Sequence, residues 1–293
     1  MSFDAQENHI QEYKTVELPQ GILHYSDRGQ GSILIFIHGA LVNGGLWRDV
    51  VSLLEGEFRC IVPDLPLGAH IQPMNPDTDL TPPGIARLVA DFITALDLDH
   101  VTLVGNDTGG AICQLVISQY PEKISGLVLT NCDALEIFPP QFFIPLLYAV
   151  HIPGFIFALA QLMRWGLARR ALFGLLAHRR LEPEEESAYF TPLIRFSGVR
   201  HDLTKAVRGI SNRYTLEAAR SFPNFNKPVL IVWGEDDPFF TYNLAERLKN
   251  SFPHARLELV AKSRTFVPED QPEVLAQLIT SFAVPVTGSV VSE

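Results

Sequence analysis

Cysteine is scarce in this chain. The three present, Cys60, Cys113 and Cys132, are odd in number and lack paired spacing. No disulfide framework is expected from them. No C-x-x-C or H-E-x-x-H pattern occurs, which removes the common zinc signatures. Neither a metal nor a cofactor is expected. Positive charge is also short: 23 Lys and Arg face 33 Asp and Glu, for a net charge of −10. That balance argues against nucleic acid as a partner. Residues 1–7 hold no basic segment followed by an apolar one, so no secretory signal is expected there. Reduced, buried thiols in a cytoplasmic protein fit these absences.

Long uninterrupted apolar runs are absent too, with one near exception. Residues 142–163 are almost uncharged and nearly long enough to span a bilayer. Pro145 and the Pro153-Gly154 pair interrupt the run. Two short apolar helices result, burying against a core or lining a pocket; contact with a membrane surface is the alternative.

What the chain does have is 47% apolar residues over 293 positions. That suits one sizeable α/β core carrying an insertion. Residues 14–18 and 22–25 alternate around Pro19-Gln20-Gly21, a hairpin signal. Apolar runs at 32–37, 59–62, 101–106 and 124–130 read as buried strands. Between them lie helical stretches at 46–54, within 80–98, and from 111 to Tyr120. Thr81 can cap the second of these, and Pro82-Pro83 suit its first turn. From about Ala134 to Phe222 the alternation stops and the chain reads as proline-broken helices. It resumes with a strand ending at Trp233-Gly234, a helix near 242–252, a strand at 256–260 and a helix at 272–282. The tail after Pro285 is expected to fray. The fold class is therefore α/β: a mainly parallel sheet covered on both faces, with an inserted helical cap. The core takes residues 1–133 and 223–293, and the cap 134–222.

Gly105-Asn106-Asp107-Thr108-Gly109-Gly110 is the most informative stretch. It joins a strand to a helix through a sharp turn flanked by glycines, the context of the nucleophile elbow G-x-Nu-x-G. Asp107 holds the nucleophile position. An elbow kept only for folding is the plainer alternative, but burying an acid on a tight turn is costly without use.

Four motifs at successive strand ends now stand in order: His38-Gly39, the Asp107 elbow, Trp233-Gly234-Glu235-Asp236-Asp237, and Phe266-Val267-Pro268-Glu269-Asp270-Gln271-Pro272. Together they resemble the α/β-hydrolase superfamily over nearly the whole chain. An aspartate at the elbow is similar to the haloalkane dehalogenase and epoxide hydrolase branch. The resemblance implies that Asp107 attacks an sp3 carbon to give an alkyl-ester enzyme. A histidine would then activate water, with a second acid orienting it. It places the oxyanion donors at Ala40 and Thr108. It places the orienting acid at Asp237, with Asp236 as neighbour; both also suit a plain turn before Pro238. Asp133, after the preceding strand, looks displaced from the other position relatives use.

The sequence departs from that branch in three places. Thr265 stands where the histidine belongs, and a threonine hydroxyl cannot take a proton near neutral pH. His38, His70, His151, His178 and His201 remain as other bases, His38 being the usual structural histidine behind the oxyanion loop. Ala40 and Thr108 replace the Asn and Trp that hold a leaving halide, so dehalogenation is not expected. Leu41 replaces the proline of the epoxide hydrolases, whose cap tyrosines would find counterparts in Tyr148, Tyr189 or Tyr214.

The cap is rich in Phe and Leu, which suggests an apolar cavity over an acid and a small hydrophobic substrate. The candidate ligand contacts are His38, Leu41, Trp47, Phe138, Phe142 and Phe266. Arg164, Arg169, Arg170, Arg179 and Arg180 read as a solvated face of the cap helices. An ester, epoxide or related electrophile would be hydrolysed through Asp107. The alternatives are a non-hydrolytic isomerase, cyclase or lyase using Asp107 as acid or base, and a ligand-binding protein that has lost catalysis.

Overall fold

The structure, a computed structural model, describes residues 13–283. The expectations for residues 1–7 and for the tail after Pro285 lie outside the described residues. The sheet strands are β1 (Lys14–Leu18), β2 (Gly21–Arg28), β3 (Ser32–Ile37), β4 (Phe58–Pro63), β5 (Val101–Asp107), β6 (Ile124–Cys132), β7 (Val229–Gly234) and β8 (Ala255–Val260). They lie in the order β1-β2-β4-β3-β5-β6-β7-β8. The β1–β2 hairpin and its pairing to β4 are antiparallel. The pairings from β4 through β8 are parallel.

Side-chain alternation along the central strands explains the two covered faces. On β3, Ile35 and Ile37 join one apolar layer with Leu103, Leu127 and Ile231. Leu34 and Phe36 join the other with Val104, Val128 and Leu230. The first layer is closed by α2 (Pro82–Ala95), α3 (Thr108–Gln119) and α10 (Tyr242–Asn250). The second is closed by α1 (Arg48–Leu54) and α12 (Pro272–Ala283). Strands buried on both faces need continuous apolar sequence, and β3 to β7 have it. Thr81 does cap α2: its hydroxyl accepts the Gly84 N–H at 3.4 Å, with proline opening the helix.

Between β6 and β7 lie α4 (Ile144–Ala149), α5 (Phe155–Leu162), α6 (Gly166–Leu176), α7 (Pro183–Arg195), α8 (Ser197–Gly209) and α9 (Asn212–Ala219). Short α4 and α5 occupy the near-uncharged run, with left-handed Gly154 opening α5. No helix among the described residues is long and apolar enough to cross a membrane. The cap keeps its own small core of Val150, Ile156, Ala160, Leu193, Leu203 and Val207.

An ion cluster binds cap to core. Glu269 sits on α11 (Val267–Asp270), just after the last strand. Its fully buried carboxylate takes two bonds from Arg48 of α1, at 2.8 and 2.7 Å. It takes a third from Arg179 at 2.8 Å and a fourth from Tyr189 of α7 at 3.1 Å. Arg179 also grips Glu185 at 2.8 Å, and Arg169 grips Glu186 at 3.0 Å. This corrects the reading of the cap arginines as one solvated face: Arg169 and Arg179 are partly buried and paired.

Removing one member of a buried pair typically costs about 3–5 kcal/mol, and because Glu185 would still pair with Arg48 and Arg179 the lower end, about 3 kcal/mol, applies here. Glu269→Ala is expected to lose that much unfolding free energy in urea. Arg87→Ala, which breaks the exposed i,i+4 pair with Asp91 and a cation–π contact with Tyr120, should stay within about 1 kcal/mol of the parent. Equal losses in the two variants would show that the cluster does not hold cap to core.

Candidate active site

The elbow forms where β5 meets α3. Asp107 has φ 53° and ψ −130°, a conformation that L-residues rarely adopt. The turn is tight because Gly109 lies against β3: a Cβ there would stand 2.3 Å from the Ile37 carbonyl oxygen. Asn106 pins the turn from behind. Its amide donates to Thr130 Oγ1 at 2.8 Å and to the Thr265 carbonyl at 2.7 Å.

The loop after β3 approaches the nucleophile position from the other side. Gly39 permits this, since a Cβ would fall 2.2 Å from Asp107 Oδ2. The Ala40 N–H donates to that oxygen at 3.3 Å, and the Thr108 N–H lies near enough to lower the pKa of the carboxyl. The two sequence-derived donors, Ala40 and Thr108, therefore both face the Asp107 carboxyl. Leu41, in the proline position of the epoxide hydrolases, has φ 61°. Proline is locked near −65° and cannot adopt it, so the substitution goes with a different loop backbone.

Above Asp107 lies a cavity of about 480 Å³. Leu41, Phe142, Phe143, Leu146, Phe190 and Phe266 are among its mostly apolar walls. Of the candidate ligand contacts, Leu41, Phe142 and Phe266 line it, and the other three do not. Trp47 is fully buried and packs on Phe36, ring centroids 5.2 Å apart. Phe138 is buried outside the cavity wall. His38 lies behind the loop: its Nε2 accepts the Leu65 N–H at 2.8 Å, so its Nδ1–H donates to the Gly39 carbonyl, also at 2.8 Å. Burial holds its pKa down to about 4, a neutral structural histidine.

No described histidine lines the cavity. His70 is buried against Asp202 at 3.1 Å. His178 pairs with Asp236 at 2.8 Å near the surface. His151 and His201 are exposed. The cap tyrosines are absent from the wall as well, Tyr189 being committed to Glu269.

Asp237 and Thr265 stand side by side, and neither lines the cavity. Asp237 Oδ2 accepts from Asn131 Nδ2 at 2.8 Å, and Oδ1 accepts the N–H groups of Phe239 and Phe240 at 2.7 and 3.1 Å. The Thr265 hydroxyl stands beside this carboxyl without reaching hydrogen-bond geometry. Thr265 is fully buried and does not line the cavity. No described histidine hydrogen-bonds to Asp237.

A second carboxyl does line the cavity. Asp133 shares the wall with Asp107, and the Thr108 hydroxyl donates to its Oδ2 at 3.3 Å. Its backbone carbonyl accepts from Gln114 Nε2 at 2.8 Å. Asp107 and Asp133 are the titratable side chains among the described lining residues. Burial raises the Asp107 pKa to about 6, against the pull of the Thr108 and Ala40 N–H groups and helped by the charge of Asp237. Burial and the Asp107 charge raise Asp133 well above the ordinary carboxylate range. The directions therefore favour the charge on Asp107, whose carboxylate accepts the Ala40 N–H, and the proton on Asp133. A displaced position after β6 was the one sequence signal of Asp133.

A family model for the alpha/beta hydrolase fold matches residues 32–272. The chain belongs to the α/β-hydrolase family of enzymes. Haloalkane dehalogenase 2 of Mycobacterium tuberculosis is 27% identical over 270 residues, 89% of this chain and 91% of its own. A cis-3-alkyl-4-alkyloxetan-2-one decarboxylase of Shewanella oneidensis is 27% identical over 274 residues, 89% of this chain and 84% of its own. Among solved structures, a haloalkane dehalogenase of Bradyrhizobium elkani superposes with a TM-score of 0.78 at 17% identity, covering 92% of this chain and 96% of that one.

The unequal carboxyls can be read directly. A ¹³C NMR titration, with the Asp107 signal assigned by its loss in Asp107→Asn, is expected to show a midpoint of about 6. Asp237→Asn removes a like charge and should move that midpoint down. An Asp107 midpoint at the ordinary value of about 3.9 would contradict this division of charge and proton.

Proposed function

We propose that this protein opens small hydrophobic oxygen electrophiles, an ester, an epoxide or a relative, by attack of the Asp107 carboxylate on an sp3 carbon. The observation that carries this reading is the position of Asp107 at the base of an apolar cavity, with Oδ2 already on the Ala40 N–H. The attacking oxygen becomes part of an alkyl ester. Water then adds to the Asp107 carbonyl carbon, and the negative charge develops on the oxygen that faces the Ala40 and Thr108 N–H groups. The apolar wall excludes bulk water, which strengthens both interactions. Ala40 has no side-chain donor and the Thr108 hydroxyl is given to Asp133, so the reading is of an oxygen leaving group. Three free, buried thiols fit a reducing compartment, and we place the protein in the cytoplasm.

A second reading is favoured by Thr265 in the histidine position. Without a base for water, an alkyl ester could instead collapse by elimination, with no water consumed. The relative named as an oxetanone decarboxylase supports this variant: a strained four-membered ring, opened by Asp107 at its alkyl carbon, would release a carboxylate that leaves as CO₂. The bonding electrons form the alkene and expel the Asp107 carboxylate.

Two measurements test these readings. Intact mass after incubation with apolar electrophiles should show a covalent adduct, and Asp107→Asn should form it at least about 10⁴-fold more slowly. Equal adduct formation in the two proteins would contradict the nucleophile. In H₂¹⁸O, hydrolysis puts solvent oxygen into protein or product, whereas the elimination variant puts it in neither.

A further inference from the structure

The proposed reaction needs a proton that no histidine or tyrosine of the cavity wall supplies. Attack on an epoxide breaks a carbon–oxygen bond and leaves an alkoxide, which must be protonated as it forms. Asp133 lies in the same wall as Asp107. Its Oδ2 is held by the Thr108 hydroxyl. Its Oδ1 is buried and meets no hydrogen-bond partner. An ionised carboxylate with a buried, unpartnered oxygen costs more than the neutral acid in the same place, and a substrate oxygen that accepts the acid's O–H would remove the remaining cost. Thr108 connects the two groups, its N–H near the Asp107 carboxylate and its hydroxyl donating to Asp133.

We infer that Asp133 is a second catalytic carboxyl, which protonates the leaving oxygen of the electrophile that Asp107 attacks and then serves as the base for water. This deepens the reading of Asp107 as nucleophile and rests on it. In the first step the Asp107 carboxylate bonds to carbon, the carbon–oxygen bond breaks, and the departing oxygen takes the Asp133 proton. The products are an Asp107 alkyl ester, a hydroxyl group and an ionised Asp133. In the second step Asp133 takes a proton from water as that water adds to the ester carbonyl carbon. Collapse releases the alkoxide, which takes the proton of the regenerated Asp107 carboxyl. The net change is addition of one water, and Asp133 ends protonated as it began.

The charges facing Asp133 agree with this cycle. Asp107 is the ionised group beside it, and burial adds to its effect in holding the Asp133 proton. The thiol of Cys132, next in the chain, is itself pushed far up by burial and stays neutral. The same arrangement assigns a substrate preference: leaving groups that need a proton, alkoxides above all, over those that do not.

The experiment compares two hexyl probes on one protein. 1,2-Epoxyhexane leaves an alkoxide and needs the acid; hexyl tosylate leaves a stable sulfonate and does not. Alkylation of Asp107 is timed in the parent, Asp133→Asn and Asp133→Glu as adduct by intact mass plus alcohol or diol released, so that adduct cleared by hydrolysis is counted. Asp133→Asn can still accept the Thr108 hydrogen bond but has no acidic proton. It should lose epoxide labelling by about 10²–10⁴-fold while tosylate labelling stays within about threefold of the parent. Asp133→Glu should restore part of the epoxide rate. Equal loss with both probes means a structural role and overturns the assignment, as does no loss with either. A parent labelled by tosylate but not by epoxide shows that the site has no acid, which also overturns it. A parent labelled by neither probe fails the reading of Asp107 itself, and this assignment falls with it.

Discussion

The site depends on one backbone constraint: Asp107 is held at φ 53° between β5 and α3, with its carboxyl against the Gly39-Ala40 loop. Three separate parts of the chain maintain it. Gly109 lets the elbow close on β3, Gly39 lets the loop come within reach, and Asn106 fastens the turn to β6 and to the Thr265 backbone. The parallel sheet supplies the rest, since it brings the ends of β3, β5, β6 and β7 to one edge. A strained acid in a dry site is destabilising on its own. The two-layer core and the Glu269 ion cluster hold the surrounding structure rigid enough to keep it.

Electrostatics then divide the work between two carboxyls. Asp107 has two backbone N–H groups to support its charge; Asp133 has one hydroxyl and an unpartnered oxygen. Similar side chains in one cavity thus take opposite protonation states. In the proposed reaction that difference substitutes for the imidazole that Thr265 has displaced. Asp237, still bound by Asn131 and two backbone N–H groups, holds the turn after β7.

Much of this was legible in the sequence, and the reasons are physical. Buried parallel strands require apolar runs, so β3 to β7 stand out, and a tight strand-to-helix turn requires glycine at fixed offsets from Asp107. The ligand wall was less legible, because apolar residues that line a cavity and those that fill a core have the same composition. Trp47 and Phe138 are of the second kind, and Phe142 and Phe266 of the first. Asp133 was obscured by a register shift: Asn106 pairs with Thr130, but Asp107 pairs with Cys132. The extra residue, Asn131, turns to Asp237, and Asp133 is carried to the cavity wall. Counting along a strand cannot see such a bulge. The pairing of Arg169 and Arg179 was hidden for a similar reason, since their partners Glu186 and Glu269 lie beyond the reach of a helix-face pattern.

The central claim is that an oxygen of Asp107 itself bonds to substrate carbon and that water returns to Asp107. A single turnover of 1,2-epoxyhexane in H₂¹⁸O, with excess protein, tests it most directly. The account predicts a diol free of solvent ¹⁸O and one ¹⁸O in the peptide that carries Asp107. Solvent ¹⁸O in the diol after the first turnover, with that peptide unlabelled, would contradict it.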